Sequence, residues 1–365
     1  MKKIKHWQFD DILRLDLTKG ISTQKVIEIV EQFDSFNEFL NSRNVNLGKL
    51  ESSELFEHTK DISEQIIRQH EICENNSFNI LTYWDEKYPL ALKDIPYPPV
   101  VLYVNGELQK SDSLAIAIVG TRACSVYGRL TAERFASKFS ASGIVVVSGL
   151  ANGIDTTAHL AAVNAGGITY SVIASGLDQI SPQHSRRNAE KIVETGGAII
   201  SEYPCGTVAC PGYFPQRNRI ISGISRATVV IESGSKGGAL ITARFAFDQG
   251  REVFAVPGNI TQDKSAGTNM LIKKDIASIA LSPDSVLEDL GIVKENTKLF
   301  KDKPPLKLSE SEQIIMDKLN FEPQHFDDIA RATELSVSEI LVKLLNLEFK
   351  GLVRQLPGKH YIKNG

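Results

Sequence analysis

Only four cysteines, Cys73, Cys124, Cys205 and Cys210, occur among the 365 residues. None forms a CxxC pair, which excludes a scaffold held together by disulfides. Cys205 and Cys210 lack a second Cys/His pair at zinc-binding spacing, so no metal is expected. Long apolar runs are missing too. No uncharged apolar stretch reaches the ~18 residues that a membrane span needs. The opening "MKKIKHWQFDDILRL" is basic but interrupted by Asp10 and Asp11, so it is not read as a secretion signal. A cytoplasmic chain with no membrane partner is expected.

An excess of positive charge is also lacking. The 41 Lys/Arg stand against 44 Asp/Glu, a net charge of −3, so any anion site must be a local patch. Several catalytic signatures do not occur. There is no G-x-S-x-G and no H-E-x-x-H, which removes esterase and zincin chemistry. "GNITQDKS" (258–265) imitates a phosphate loop, but Asp263 stands where the second glycine should be, and its carboxylate would repel the ligand. Asp155 and His159, four apart on one helix face, are read as a structural pair because no nucleophile accompanies them. No cofactor and no catalytic residue are expected.

Short apolar runs alternating with helix-length segments are present from residue 114 onward. They are Leu114–Val119, Ile144–Val147, Thr169–Ala174, Ala198–Ile200, Thr228–Ile231, Val253–Val256 and Ala277–Leu281. This pattern predicts a doubly wound α/β domain on a mostly parallel sheet. Residues 1–75 read as a helical domain. "STQKVIEIVEQF" there carries a capping Ser22 and apolar Val26, Ile29, Val30 and Phe33, and Lys19-Gly20-Ile21 suits a tight helix joint. Residues 76–107, with Pro96, Pro98 and Pro99, form a junction, 108–292 the core and 293–307 a polar linker. Residues 308–365 read as three helices and a hairpin turning at Pro357-Gly358, a winged-helix pattern.

Ligands of an open parallel sheet gather beyond the carboxyl ends of its strands. "VGTR" puts Gly120, Thr121 and Arg122 at the first mouth, without the G-x-G-x-x-G of a dinucleotide loop. "SPQHSRRNAEK" puts Arg186 and Arg187 after the third strand, and "FPQRNRIISG" carries Phe214, Arg217, Asn218 and Arg219 between the fourth and fifth. "ESGSKGGALITARF" places Ser235, Lys236, Gly237 and Gly238 ahead of a helix, the best anion cradle in the chain. Arginine grips phosphate bidentately, and Tyr127, Tyr213 or Phe214 offers a stacking surface. A basic path with aromatics suits single-stranded nucleic acid held without sequence preference, the Arg217/Arg219 fork gripping phosphodiesters.

Together, "VGTR", "VSGLANGIDTTAH", "SGLD", "ISEYP", "FPQRNRIISGIS", "GGALITARFA", "GREVFAVPG" and "GTNMLI" resemble, in order, the DprA (Smf) family of bacterial DNA-processing proteins. The blocks cover Ala115 to about Ala280, and "YPLALKDIPYPPVVLYVNG" extends them upstream. The resemblance implies an extended Rossmann-like core, an N-terminal helical domain of the SAM or helix–hairpin–helix kind, and a C-terminal winged helix. It also implies a non-enzymatic recombination mediator of natural transformation and competence that protects incoming single-stranded DNA, forms a homodimer and helps load the RecA recombinase. Carried over by position, its binding residues are Arg122, then Phe214, Arg217, Asn218 and Arg219, then the loop Ser235 to Gly238. One departure is Ser181-Pro182, where the family has "YP" shortly after "GLD". Two other readings remain open: a phosphoribohydrolase-like enzyme or nucleotide sensor, and a winged-helix transcription regulator. Seven Lys/Arg against nine Asp/Glu in 308–365 weigh against the second.

Overall fold

The computed structural model describes residues 6–42, 59–110, 113–180, 183–292, 308–320, 322–333 and 335–363. The expected linker, 293–307, lies outside the described residues. The chain divides into two compact units, Met1–Cys124 with Thr131–Val286 and Ser125–Leu130 with Leu287–Gly365.

The first unit opens with helices α1 (Phe9–Leu17), α2 (Thr23–Gln32), α3 (Phe36–Asn41) and α4 (Thr59–Asn76). Helix α2 starts where its sequence says it should. The Ser22 side chain accepts from the Lys25 N–H, a cap that contributes about 1 kcal/mol, and Val26, Ile29 and Val30 fall on one buried face. The expected junction is part of the sheet. Strands β1 (Phe78–Thr82) and β2 (Val101–Gly106) flank the short helix α5 (Leu90–Lys93) and pair antiparallel with each other, and β2 pairs antiparallel with β6 (Ala198–Ser201). The prolines precede β2 and interrupt no ladder bond.

Strands β3 (Ala115–Val119), β4 (Val145–Ser148), β5 (Thr169–Val172), β6, β7 (Ala227–Val230), β8 (Glu252–Ala255) and β9 (Ser278–Ile279) are mutually parallel. The order across the sheet is β1-β2-β6-β5-β4-β3-β7-β8-β9. The chain winds outward from β3 to β6, then returns to the other side of β3 as β7. That reversal puts the switch point between β3 and β7.

Helices α6 (Val126–Ala141), α7 (Ile154–Asn164), α8 (Arg186–Glu194), α9 (Tyr213–Ile224), α10 (Ala239–Asp248) and α11 (Ala266–Lys273) connect these strands, and α12 (Pro283–Asp289) follows β9. Alternate side chains of the sheet feed two cores. Ala117, Val147, Val172 and Ile200 pack with Ile220, Ile221 and Ile224 of α9 and Ala239, Ala243 and Ala246 of α10. On the opposite face, Tyr103, Ile173 and Ile199 pack with α8 and with the N-terminal helices through Leu13, Leu15 and Ile29.

The second unit holds the winged-helix domain. Its elements are α13 (Glu310–Lys318), β10 (Gln324–His325), α14 (Phe326–Thr333), α15 (Val337–Phe349), β11 (Val353–Leu356) and β12 (His360–Lys363). Ser309 and Glu312 form a reciprocal capping box on α13. Ile315, Ile329, Ile340, Leu344 and Leu347 meet in a core of their own.

Candidate nucleic-acid interface

Backbone bonds tie the carboxyl ends of six neighbouring strands in two groups, β6 with β5 and β4 through β3 and β7 to β8. The Arg217 side chain bridges the β5 and β4 mouths between them and completes the rim. Gly176 N after β5 donates to Thr207 O after β6 at 2.8 Å. Ile154 N after β4 donates to Thr121 O after β3 at 3.3 Å, and Thr121 N to Glu232 O after β7 at 2.8 Å. Ser233 N continues to Lys264 O after β8 at 2.7 Å. The rim demands close approach. Gly153 sits at φ +83°, and a Cβ there would lie 2.4 Å from Thr121 O. Only glycine combines that dihedral with that contact.

Arg122 leaves this rim at the switch point and is exposed. Its guanidinium lies over the Phe214 ring, 5.5 Å from the centroid. Phe214 stands in the first turn of α9, where Pro215 is tolerated because its missing N–H has no helical partner. Beside it, Tyr213 stacks on Tyr203 at 4.4 Å, and the Tyr203 hydroxyl donates to Gln216 Oε1 at 3.3 Å. Tyr203, which follows β6, did not figure among the aromatics read from the sequence. Its position just past a strand mouth, in "ISEYP", was the available signal.

The other expected cations divide. Arg186 and Arg187 are exposed at the start of α8, Arg186 making only a loose surface pair with Glu190 at 3.6 Å. Ser235 and Lys236 are exposed in the turn before α10, and Gly238 is that helix's N-cap residue. Gly120 and Thr121 are half-buried in the rim, and Tyr127 is exposed in the first turn of α6.

The expected Arg217/Arg219 fork does not face outward. Arg217 is only 5% exposed. Its Nη1 donates to Gly149 O at 2.9 Å and to Val172 O, bridging the β4 and β5 mouths, and its Nε donates to Asn218 Oδ1 at 3.2 Å. Asp155, also buried, accepts from Gly149 N at 3.2 Å beside it. Burial pulls Arg217 down to about 10, against the opposing pull of Asp155. Burial also pushes Asp155 up to about 6, with Arg217 and the Gly149 N–H holding it back. Both remain ionised at neutral pH. Arg219 is turned to the other side of α9, in a half-buried ion pair with Glu202. These two arginines are braces within the protein, because α9 packs that stretch against the sheet.

His159 is fully buried and burial lowers it to about 3. Thr169 Oγ1 donates to Val146 O at 2.7 Å, so the His159 Nδ1 proton points at Thr169, also at 2.7 Å. The Asp155/His159 pair is therefore packed into the fold. Among the described residues no group of three or more His, Cys, Asp or Glu side chains is placed to hold a metal. Nor is any helix long and apolar enough to cross a membrane.

A doubly wound sheet whose strand mouths join into one cation-bearing rim, followed by a winged helix, is the class of protein these observations define. The chain belongs to the DNA recombination-mediator protein A family, whose model matches residues 79–291, and the DprA winged helix domain matches 301–359. Protein Smf of Escherichia coli is 36% identical over 280 residues, 75% of this chain and 74% of that protein. Protein Smf of Synechocystis is 32% identical over 387 residues, covering 94% and 96%. The X-ray structure of DNA processing protein A from Streptococcus pneumoniae superposes with a TM-score of 0.64 at 30% identity, over 77% of this chain and 98% of that one. The Helicobacter pylori protein, whose structure concerns its single-stranded DNA binding mode, gives 0.54 at 27% identity over 59% and 96%. This protein is thus a DNA-processing recombination mediator by family.

Proposed function

We propose that the strand-mouth rim holds single-stranded DNA by its phosphates, without reading base sequence. The observation that carries this reading is Arg122. It is exposed at the switch point with its guanidinium against Phe214, so a phosphate grip and an aromatic platform for a base lie side by side. Gly120 and Thr121 shape that mouth. Ser235, Lys236, Gly237 and Gly238 extend the path past β7, and Arg186 and Arg187 extend it past β5. With strands about 4.8 Å apart, the steps from the β5 mouth to the β7 mouth span about 14 Å, more than one phosphate needs. Phe214 and Asn218 complete the contact set, while Arg217 and Arg219 act from inside by holding α9 and the mouths in register.

The action is non-enzymatic and cytoplasmic in this reading. The bound strand is protected and handed to the RecA recombinase by two copies of the chain acting together. The burial of Asp155 and His159 agrees with it, since neither side chain is presented to a ligand. An anisotropy titration with labelled oligothymidylate, a duplex of equal length and nucleoside monophosphates as competitors tests the proposal. It requires oligothymidylate to bind well ahead of the others; equal competition by a monophosphate would favour a nucleotide-binding enzyme instead.

A further inference from the structure

Cys73 and Cys205 lie far apart in the sequence and meet inside the first unit. Gln69 and Cys73 stand four apart on α4, so both side chains leave the same face of that helix. Gln69, itself buried, holds the backbone of Cys205 in both directions. Cys205 N donates to Gln69 Oε1 at 2.8 Å, and Gln69 Nε2 donates to Cys205 O at 3.1 Å. One turn further along α4, the Cys73 and Cys205 thiols are in hydrogen-bond contact. Both residues are buried, in an apolar core shared with Ile66, Tyr103 and Leu177.

The contact makes the two sulphurs unequal. The Cys205 thiol donates, and its hydrogen bond holds the Cys73 thiol below the ordinary range against the opposing pull of burial and of Asp178. The same bond, together with burial, pushes Cys205 up. The thiolate is the nucleophile in sulphur oxidation, so Cys73 is the attacking group and Cys205 the resolving one. The other two cysteines, Cys124 after β3 and Cys210 before α9, are half-buried.

We infer that Cys73 and Cys205 are a reversible dithiol–disulfide pair, oxidised by a hydroperoxide. The Cys73 thiolate attacks one peroxide oxygen and the O–O bond breaks, leaving a sulfenic acid on Cys73. The departing hydroxide takes the proton that Cys73 released and leaves as water. The Cys205 sulphur then forms the S–S bond by displacing hydroxide from Cys73, and that hydroxide carries off the Cys205 proton as a second water. Two electrons pass from the thiols to the peroxide, and a dithiol reductant reverses the change by thiol–disulfide exchange. A disulfide suits the site because it brings neither charge nor a polar group into the apolar surroundings. It fastens α4 to the segment between β6 and α9, where Tyr203 stacks on Tyr213. The tie closes a loop of about 130 residues and joins an N-terminal helix covalently to the sheet.

Non-reducing peptide mapping of the folded full chain provides the test, after brief treatment with hydrogen peroxide and alkylation of the remaining thiols. A peptide pair linked through Cys73 and Cys205 is expected, lost on treatment with dithiothreitol, while Cys124 and Cys210 are recovered alkylated. In urea, the unfolding constant of the oxidised parent is expected to be roughly a hundredfold smaller than that of the reduced parent, and Cys73→Ser is expected to show no such difference. The map of the parent stands even if the variant does not fold. Both thiols still free after peroxide would overturn the pair, and so would linkage through Cys124 or Cys210 in its place. Equal stability of the linked and reduced parents would overturn the fastening of α4 to the sheet.

Discussion

At the scale of single residues, burial assigns opposite tasks to arginines of one type. Arg122 is exposed beside Phe214, whereas Arg217 is enclosed by two backbone carbonyls and Asp155. Arg217→Ala would leave the Asp155 carboxylate buried without its partner and two carbonyls without their donor. A loss of about 3–5 kcal/mol of stability is expected, read as a lower denaturant midpoint, because removing one member of a buried pair strands the other charge. A midpoint equal to the parent's would return Arg217 to the surface. The sequence placed these cations at the strand mouths, and it also held a signal separating them. Arg217, Ile220, Ile221 and Ile224 lie three, four and seven apart, so Arg217 shares the apolar face of α9. Glu202, which engages Arg219, carried no such signal. It becomes a partner only when β6 and α9 are brought together.

At the scale of elements, the rim depends on close packing between the β3 and β4 mouths. Gly153→Ala would force a side chain into positive φ and against Thr121 O, so destabilisation of about 2 kcal/mol or more is expected, with weaker DNA binding in the fraction that folds. A fully stable alanine variant would mean that the mouths are loosely joined. Helix α7 adds a pH dependence through His159. The unfolded chain protonates this ring below about 6.5, whereas the folded chain does so only near 3, so the stability it contributes is present above 6.5 and lost as pH falls, by about 1.4 kcal/mol per unit. Asp155 runs the other way: its raised value makes ionisation cost stability as pH rises through about 6. His159→Asn is expected to be less stable than the parent at pH 7, with a deficit that shrinks as pH is lowered from 6 to 4. A deficit constant across that range would contradict the buried, neutral ring. The parallel strands were legible because each is a continuous apolar run between helical segments. That β1 and β2 join the sheet was not, because the prolines between them resemble a linker and the pairing of β2 with β6 spans about a hundred residues of chain.

At the scale of the whole molecule, a chain with net charge −3 can bind a polyanion only through a local grouping of cations. The order of winding offers a place for one by setting the β3 and β7 mouths side by side at the switch point. The winged helix, whose third helix keeps its lysines turned onto its own domain, adds no such patch on that helix. Family resemblance made the architecture readable from ordered motifs. Which cations reach solvent required the packed structure. The most direct test of the phosphate-gripping rim compares the parent with Arg122→Ala in anisotropy titrations on several single-stranded sequences over a range of salt. The account predicts a loss of roughly tenfold, equal for all sequences, with the salt slope smaller by about 0.7 and no change in stability. Unchanged affinity and an unchanged salt slope would contradict it.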